Sequence, residues 1–164
     1  MSANTIELLI VEEKHKVALQ SGKQDLSALL GVSVPDAWPQ FPEAFVPSAS
    51  VVGTDSKWPA YFFIDCEQGS LVGNGGYFGA PNEAGEVEIG YEIAPEFRER
   101  GFATAAARAL VDFAFSQPEV TVVMAHTLAE TNASNAVLKK LGMVFVAEQP
   151  NPEVGMVWEW RLSR

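Results

Sequence analysis

Cysteine, histidine and basic side chains are all scarce in this chain. One cysteine in 164 residues, Cys66, excludes an intrachain disulfide framework. In Ile64-Asp65-Cys66-Glu67 it reads as an ordinary strand-end residue. Lysine and arginine together number 11 against 21 aspartates and glutamates, a formal net charge of −10. Nucleic acid binding needs a basic face that neutralises phosphates, so no nucleic-acid partner is expected. An acidic surface suits a cationic substrate, and serves plain solubility equally well. No apolar run is long enough to span a bilayer, and the start, Met-Ser-Ala-Asn-Thr-Ile-Glu, has no basic n-region. The expectation is a soluble, cytoplasmic protein with no membrane partner. Disorder is excluded as well, because 48% of the residues are hydrophobic and ten are Phe. The length suits one domain over residues 1–164 with a real core, and neither a domain boundary nor an internal repeat is evident.

The chain is organised around residues 85–114. Val87, Ile89, Tyr91 and Ile93 alternate with Glu86, Glu88, Gly90 and Glu92, the period of a strand. Pro95 lacks an amide donor and ends the ladder. From Phe102 the period changes: Ala103, Ala106, Ala107, Leu110, Val111 and Ala114 fall on one helical face, opposite Arg108 and Asp112. Between strand and helix stands Arg98-Glu99-Arg100-Gly101-Phe102-Ala103, an R-x-x-G-x-A pattern. The first turn of a helix leaves about four backbone N–H groups without partners, and the aligned dipoles add roughly half a positive charge there. Gly101 lets a ligand approach the backbone closely, and Arg98 and Arg100 add charge, so a pyrophosphate would sit well on this turn. Plain turn geometry explains a glycine at a helix start equally well.

Preceded by Glu-Ile-Gly-Tyr-Glu-Ile-Ala-Pro and opening an Ala-rich helix, this pattern resembles the acyl-CoA pyrophosphate loop of the GNAT superfamily of N-acetyltransferases. Two later segments fit in the same order. Val120-Thr-Val-Val-Met-Ala-His-Thr-Leu resembles the next strand, and Asn132-Ala-Ser-Asn-Ala-Val-Leu-Lys-Lys-Leu-Gly-Met143 the following helix. Within the superfamily the chain is most similar to the Rim-type, ribosomal-protein N-terminal acetyltransferases. The resemblance implies acetyl-CoA as cosubstrate, released as CoA, and an amine acceptor that is either a small molecule or a protein N-terminus. A homodimer is compatible with it, and no metal is expected. It implies that the pantetheine arm pairs with backbone around Ile93 and Ala94, and the pyrophosphate with amides of Arg98, Glu99, Arg100, Gly101, Phe102, Ala103 and Thr104. The asparagine that commonly precedes the last helix corresponds most nearly to Asn132, one position later than usual, with Asn135 a second candidate and Thr131 at the usual place. The tyrosine that often donates the final proton corresponds to Leu138, so a tyrosine acid does not carry over. A water or the departing ammonium remains.

The rest of the chain supplies the fold. Residues 5–11 read as a strand, 12–20 and 25–30 as short helices, the second stopped by Gly31. Residues 34–59 hold five prolines interleaved with Trp38, Phe41, Phe45 and Trp58, either plugging the core edge or forming a lid on the acceptor side. Residues 61–65 and 70–78 are strands, the second broken by Gly73, Gly75 and Gly76, a sign of a bulge or close backbone approach. Residues 120–127 lie parallel to the central strand because a helix crosses between them. Residues 143–148 and 155–162 close the sheet as an antiparallel pair. The class is α/β with a mixed, mostly antiparallel sheet, and the family resemblance implies a parallel central pair splayed at the cofactor site and helices on both faces.

For the base, Glu86, Glu88 and Glu92 share one strand face, and family bases often sit on this strand, acting through water. Glu88 and Glu86 are therefore the catalytic candidates, and as neighbours each would raise the other's pKa. His126 and His15 are alternatives, though single histidines on such elements are usually bystanders. A lysine-like amine with a pKa of ~10.4 is neutral in only about one part in two thousand at pH 7, whereas an α-amine near ~7.8 is neutral in more than about a tenth. Without a strong base, an α-amine is the easier acceptor. A non-catalytic acyl-CoA sensor remains open, whereas a phosphate-sugar or nucleotide binder is disfavoured by the missing P-loop lysine.

Overall fold

The computed structural model of the chain describes residues 6–38, 58, 60–98, 100–128, 133–152 and 155–164. Most of the proline- and aromatic-rich stretch, together with Glu99, Thr131 and Asn132, lies outside them. The elements run β1 (Ile6–Ile10), α1 (Glu13–Ser21), α2 (Lys23–Leu30), β2 (Ala60–Asp65), β3 (Ser70–Tyr77), β4 (Glu86–Ile93), a 3-10 turn (Pro95–Phe97), α3 (Phe102–Phe115), β5 (Val122–Leu128), α4 (Ala133–Lys140), β6 (Val144–Asn151) and β7 (Gly155–Ser163). The strands form one seven-stranded sheet in the order β1-β2-β3-β4-β5-β7-β6. Every pairing is antiparallel except β4 with β5. The sheet class expected from the sequence is the one observed.

Alternation along β2 sends successive side chains to opposite faces. Phe62 meets His15 of α1 edge-on at 5.4 Å and Trp38 at 6.0 Å. Tyr61 and Tyr77 turn the other way, toward Phe113 of α3. The α1–α2 pair and α3 therefore lie on opposite faces. On α3, Ala106, Ala107, Leu110, Val111 and Ala114 of the stripe read from the sequence are buried, while Ala103 is half-buried and Phe102 takes the buried place at the helix start. The indole N–H of Trp38 donates to Asn74 Oδ1 at 2.7 Å, which pins the segment after α2 to β3. His15 is structural: it is 4% exposed, and its Nδ1 accepts the Glu12 amide at 2.9 Å. Burial lowers its pKa.

The glycines of β3 answer to both expectations at once. The β2–β3 register shifts between Phe63 and Ile64, which pair with Gly73 and Leu71 and leave Val72 as the extra residue of a bulge. A Cβ on Gly73 would stand 2.1 Å from the Glu92 carbonyl oxygen. One on Gly75 would stand 2.5 Å from the Gly90 oxygen and 2.7 Å from the Tyr91 Cβ. Backbone cannot yield as a flexible side chain does, so β3 is held tightly against β4 at the centre of the sheet. Gly75→Ala is expected to lose roughly 1–3 kcal/mol by overpacking. Urea denaturation should show a lower midpoint at unchanged slope. An unchanged midpoint would mean that the close approach is not a constraint.

Candidate active site

The site begins where the parallel pair ends. β4 and β5 are in register as Glu86 with Val122, Val87 with Val123 and Glu88 with Met124, and there the pairing stops. β4 nevertheless continues to Ile93 and β5 to Leu128. On β4, the Glu88 carbonyl accepts the Phe78 amide and the Ala94 amide donates to the Val72 carbonyl at 2.8 Å, so even-numbered residues face β3. Strand alternation then turns the N–H and C=O groups of Tyr91 and Ile93 toward β5, which has moved away. This is an open backbone edge inside the sheet. The Ile93 carbonyl accepts from Arg98 Nε at 3.0 Å. Both backbone groups of Ala94 are engaged within the fold, since its carbonyl also accepts the Phe97 amide at 2.9 Å. Ile93, not Ala94, is thus the member of that expected pair on the open edge. The Tyr91 hydroxyl is buried without a hydrogen-bond partner among the described residues. Burial pushes its pKa up to about 12.

At the far end of β4 the chain passes the 3-10 turn and enters α3 through Gly101, whose φ of 85° is left-handed. That backbone conformation favours glycine there. The first intrahelical bond runs from the Ala105 amide to the Gly101 carbonyl, and no side chain caps the helix. The amides of Phe102, Ala103 and Thr104 precede that bond, at the positive end of the dipole. Arg98 and Arg100 are exposed beside it. The Arg100 guanidinium stands 5.3 Å from the ring centroids of both Phe97 and Phe102, a cation–π contact that shapes the loop.

On the face opposite α3, a chain of polar side chains crosses four strands. Glu86 accepts from Asn82 Nδ2 at 2.9 Å and from Arg161 Nη1 at 2.5 Å. Arg161 Nε donates to Glu159 Oε2 at 2.6 Å, and Gln149 Nε2 donates to Glu159 Oε1. The Asn82 amide and the Arg161 guanidinium hold the Glu86 carboxyl below its ordinary pKa. Arg161 does the same for Glu159. The mutual elevation expected of neighbouring carboxylates does not occur at Glu86, because each neighbour it bonds is a donor. Glu86 is therefore a tethered counter-ion. Glu88 instead meets His126 Nδ1 at 2.9 Å, with side-chain exposures of 32% and 26%. His126 thus has a carboxylate partner, which the register of β5 against β4 brings to it. Phe78, 74% exposed, lies where a Cβ on Gly90 would point, on the same face as Glu88. Glu92, at 8% exposure, is buried among the core elements.

Two candidates on α4 fall inside the fold. Asn135 is 3% exposed and its Oδ1 accepts from the Thr127 hydroxyl, which in turn accepts the Trp160 indole N–H at 3.0 Å. It braces α4 on β5. Leu138 is fully buried in the core, with no side-chain group to offer a proton. Glu99 and Asn132 lie outside the described residues.

The open edge between the parted parallel strands is thus followed by an uncapped, glycine-led helix. The chain belongs to the GNAT acetyltransferase family: the model of the acetyltransferase (GNAT) domain matches residues 35–144. It is an acetyltransferase. It is 28% identical over 135 residues to YjdG, an uncharacterized N-acetyltransferase of Bacillus subtilis (strain 168), covering 76% of this chain and 78% of that one. Its fold is that of RimL, a ribosomal L7/L12 alpha-N-protein acetyltransferase solved with coenzyme A, at TM-score 0.72, 19% identity and coverage of 99% and 95%. The aminoglycoside acetyltransferase AAC(6')-Ib, also with coenzyme A, matches at TM-score 0.69, 18% identity and coverage of 98% and 95%. Among the described residues no helix is long and apolar enough to cross a membrane.

The polar chain makes stability depend on pH with a definite sign. Glu86 and Glu159 have depressed pKa values in the folded protein, so their contribution is present above the ordinary glutamate range and is lost as pH falls through the depressed values. Arg161→Met should lower Tm at pH 7, and the gap to the wild type should close as the pH drops below about 4. A gap that stays constant with pH would show that the ion pairs contribute nothing.

Proposed function

We propose that this chain transfers acetyl from acetyl-CoA to a primary amine by direct attack within a ternary complex, as a Rim-type enzyme whose acceptor is a protein N-terminal α-amine or a small-molecule amine. The observation that carries this reading is the separation of β4 from β5 after Glu88 and Met124, continuous with the uncapped start of α3. The residues present fit acetyl-CoA. The backbone of Tyr91 and the N–H of Ile93, whose carbonyl is taken by Arg98, offer an open strand edge to an amide-bearing arm, and the Tyr91 hydroxyl is a buried group lacking a partner among the described residues. The amides of Phe102, Ala103 and Thr104, with Gly101 leaving the approach clear and Arg98 and Arg100 adding charge, suit a pyrophosphate. Glu99 and Asn132 complete the set that the family resemblance implies. When bound, acetyl-CoA supplies an acyl group activated as a thioester.

The chain's own residues then divide the work. The cofactor end lies toward α3, while Glu88 sits at the apex of the parted strands with its side chain on the opposite face. An amine arriving on that face meets Glu88, His126 and the exposed Phe78 ring, so the acceptor is met from the side away from α3. Of the two carboxylates considered for base chemistry, Glu88 is the one not neutralised by arginine. Holding the amine against the acyl group supplies much of the acceleration by proximity alone.

Gly101→Asp tests the cofactor half of this reading. It places a side chain and a negative charge where the pyrophosphate would sit, and acetyl-CoA affinity by calorimetry should fall by more than about a hundredfold in a protein of unchanged circular dichroism. Unchanged affinity in the folded variant would overturn the assignment. Tight CoA binding by a wild type that acetylates no amine in a broad panel would instead favour an acyl-CoA sensor.

A further inference from the structure

We infer that His126 is the group that takes the proton from the acceptor amine, with Glu88 as its positioning residue; this rests on the acetyl-transfer reading above. The register places His126 two residues beyond Met124, the last residue of β5 paired to β4, and on the same sheet face as Glu88. Its imidazole therefore stands at the apex of the parted strands. Nδ1 lies 2.9 Å from Glu88 Oε2, a hydrogen bond in which a carboxylate can only accept. The proton consequently sits on Nδ1, and the lone pair is left on Nε2.

Among the described residues, the charged group beside Nε2 is Glu159, its Oε1 at 3.8 Å, too far for a hydrogen bond. Glu159 is itself held in place by Arg161 and Gln149, and the Arg161 guanidinium keeps it ionised. The described charged groups facing the imidazole are thus Glu88 on β4 and Glu159 on β7, with Glu86 and Arg161 paired to one another behind them. A carboxylate beside Nε2 attracts an incoming ammonium. The His126 side chain is 26% exposed, so an acceptor can reach it.

The step balances without any further reagent. The ammonium gives one proton to His126 Nε2, and the freed nitrogen lone pair forms the bond to the acyl carbon. The carbon–sulfur bond breaks, the second nitrogen proton accompanies the sulfur, and CoA leaves as the thiol. The imidazolium, hydrogen-bonded to Glu88, returns its proton to water. The imidazole thereby takes the place of the water through which a strand carboxylate was expected to act. A positioned base of this kind contributes on the order of 10²–10⁴ in rate.

The test compares His126→Gln and Glu88→Gln with the wild type in pH–rate profiles, acetyl-CoA calorimetry and ring-nitrogen NMR of His126. His126→Gln should lose about 10²–10⁴ in kcat at unchanged acetyl-CoA affinity, and its acidic limb in kcat/KM should vanish. Glu88→Gln should keep an acidic limb at a reduced kcat, because the imidazole remains and only its positioning is lost. The ring-nitrogen shifts should report the Nδ1–H tautomer in the wild type and a redistributed tautomer in Glu88→Gln, a readout that needs no acceptor. A His126→Gln enzyme with wild-type kcat and an intact limb would overturn the inference, as would a ring tautomer indifferent to Glu88. A wild type that acetylates no amine overturns the acetyl-transfer reading itself, and the ring tautomer still reports separately on the pair.

Discussion

β4 and β5 pair for three residues and then part, and the chemistry of the protein depends on that parting. Backbone N–H and C=O groups inside a sheet are normally satisfied by the neighbouring strand, and leaving them open is costly. Here the open edge of Tyr91 and Ile93 is tolerated because β4 is fixed on its other side. Ala94 is tied to Val72, Glu88 to Phe78, and the glycines of β3 let the two backbones close tightly. On the β5 side, β7 pairs along the whole strand, from Val122 with Ser163 to Leu128 with Val157. Each wall of the cleft is held from behind, so the gap between them is a property of the fold.

The same parting separates two kinds of carboxylate. Glu86, within the paired segment, lies close enough to β7 for Arg161 to neutralise it. Glu88, at the last paired position, faces His126. Two glutamates two residues apart on one strand face thus receive opposite assignments from their cross-strand partners. Arg161 also holds Glu159, so a single guanidinium organises the polar face.

Much of this architecture was legible in the sequence because its signals are local. The period-two run ending at Pro95, the helical stripe from Phe102 to Ala114, and the glycine at the turn each depend on neighbours a few residues away. The closing antiparallel pair followed from alternation in residues 155–162, and the parallel pair from the intervening helix. What the sequence withheld depends on register. The contact between Glu88 and His126 spans 38 positions and that between Glu86 and Arg161 spans 75, and no local pattern reveals either. The engagement of Ala94 with Val72 is of the same kind. Leu138 was correctly placed on α4, but only packing shows that it is fully enclosed.

Amide hydrogen exchange, resolved by residue with and without CoA, tests the central claim most directly. In the free protein the amides of Tyr91 and Ile93 should exchange faster than those of Gly90, Glu92 and Ala94, which face β3. Saturating CoA should slow Tyr91, Ile93 and the first amides of α3 together, and leave the β3-facing amides as they were. Equal protection of odd and even residues along β4 in the free protein, or no change at Tyr91 and Ile93 on binding, would contradict an acyl-CoA site built on the parted strands.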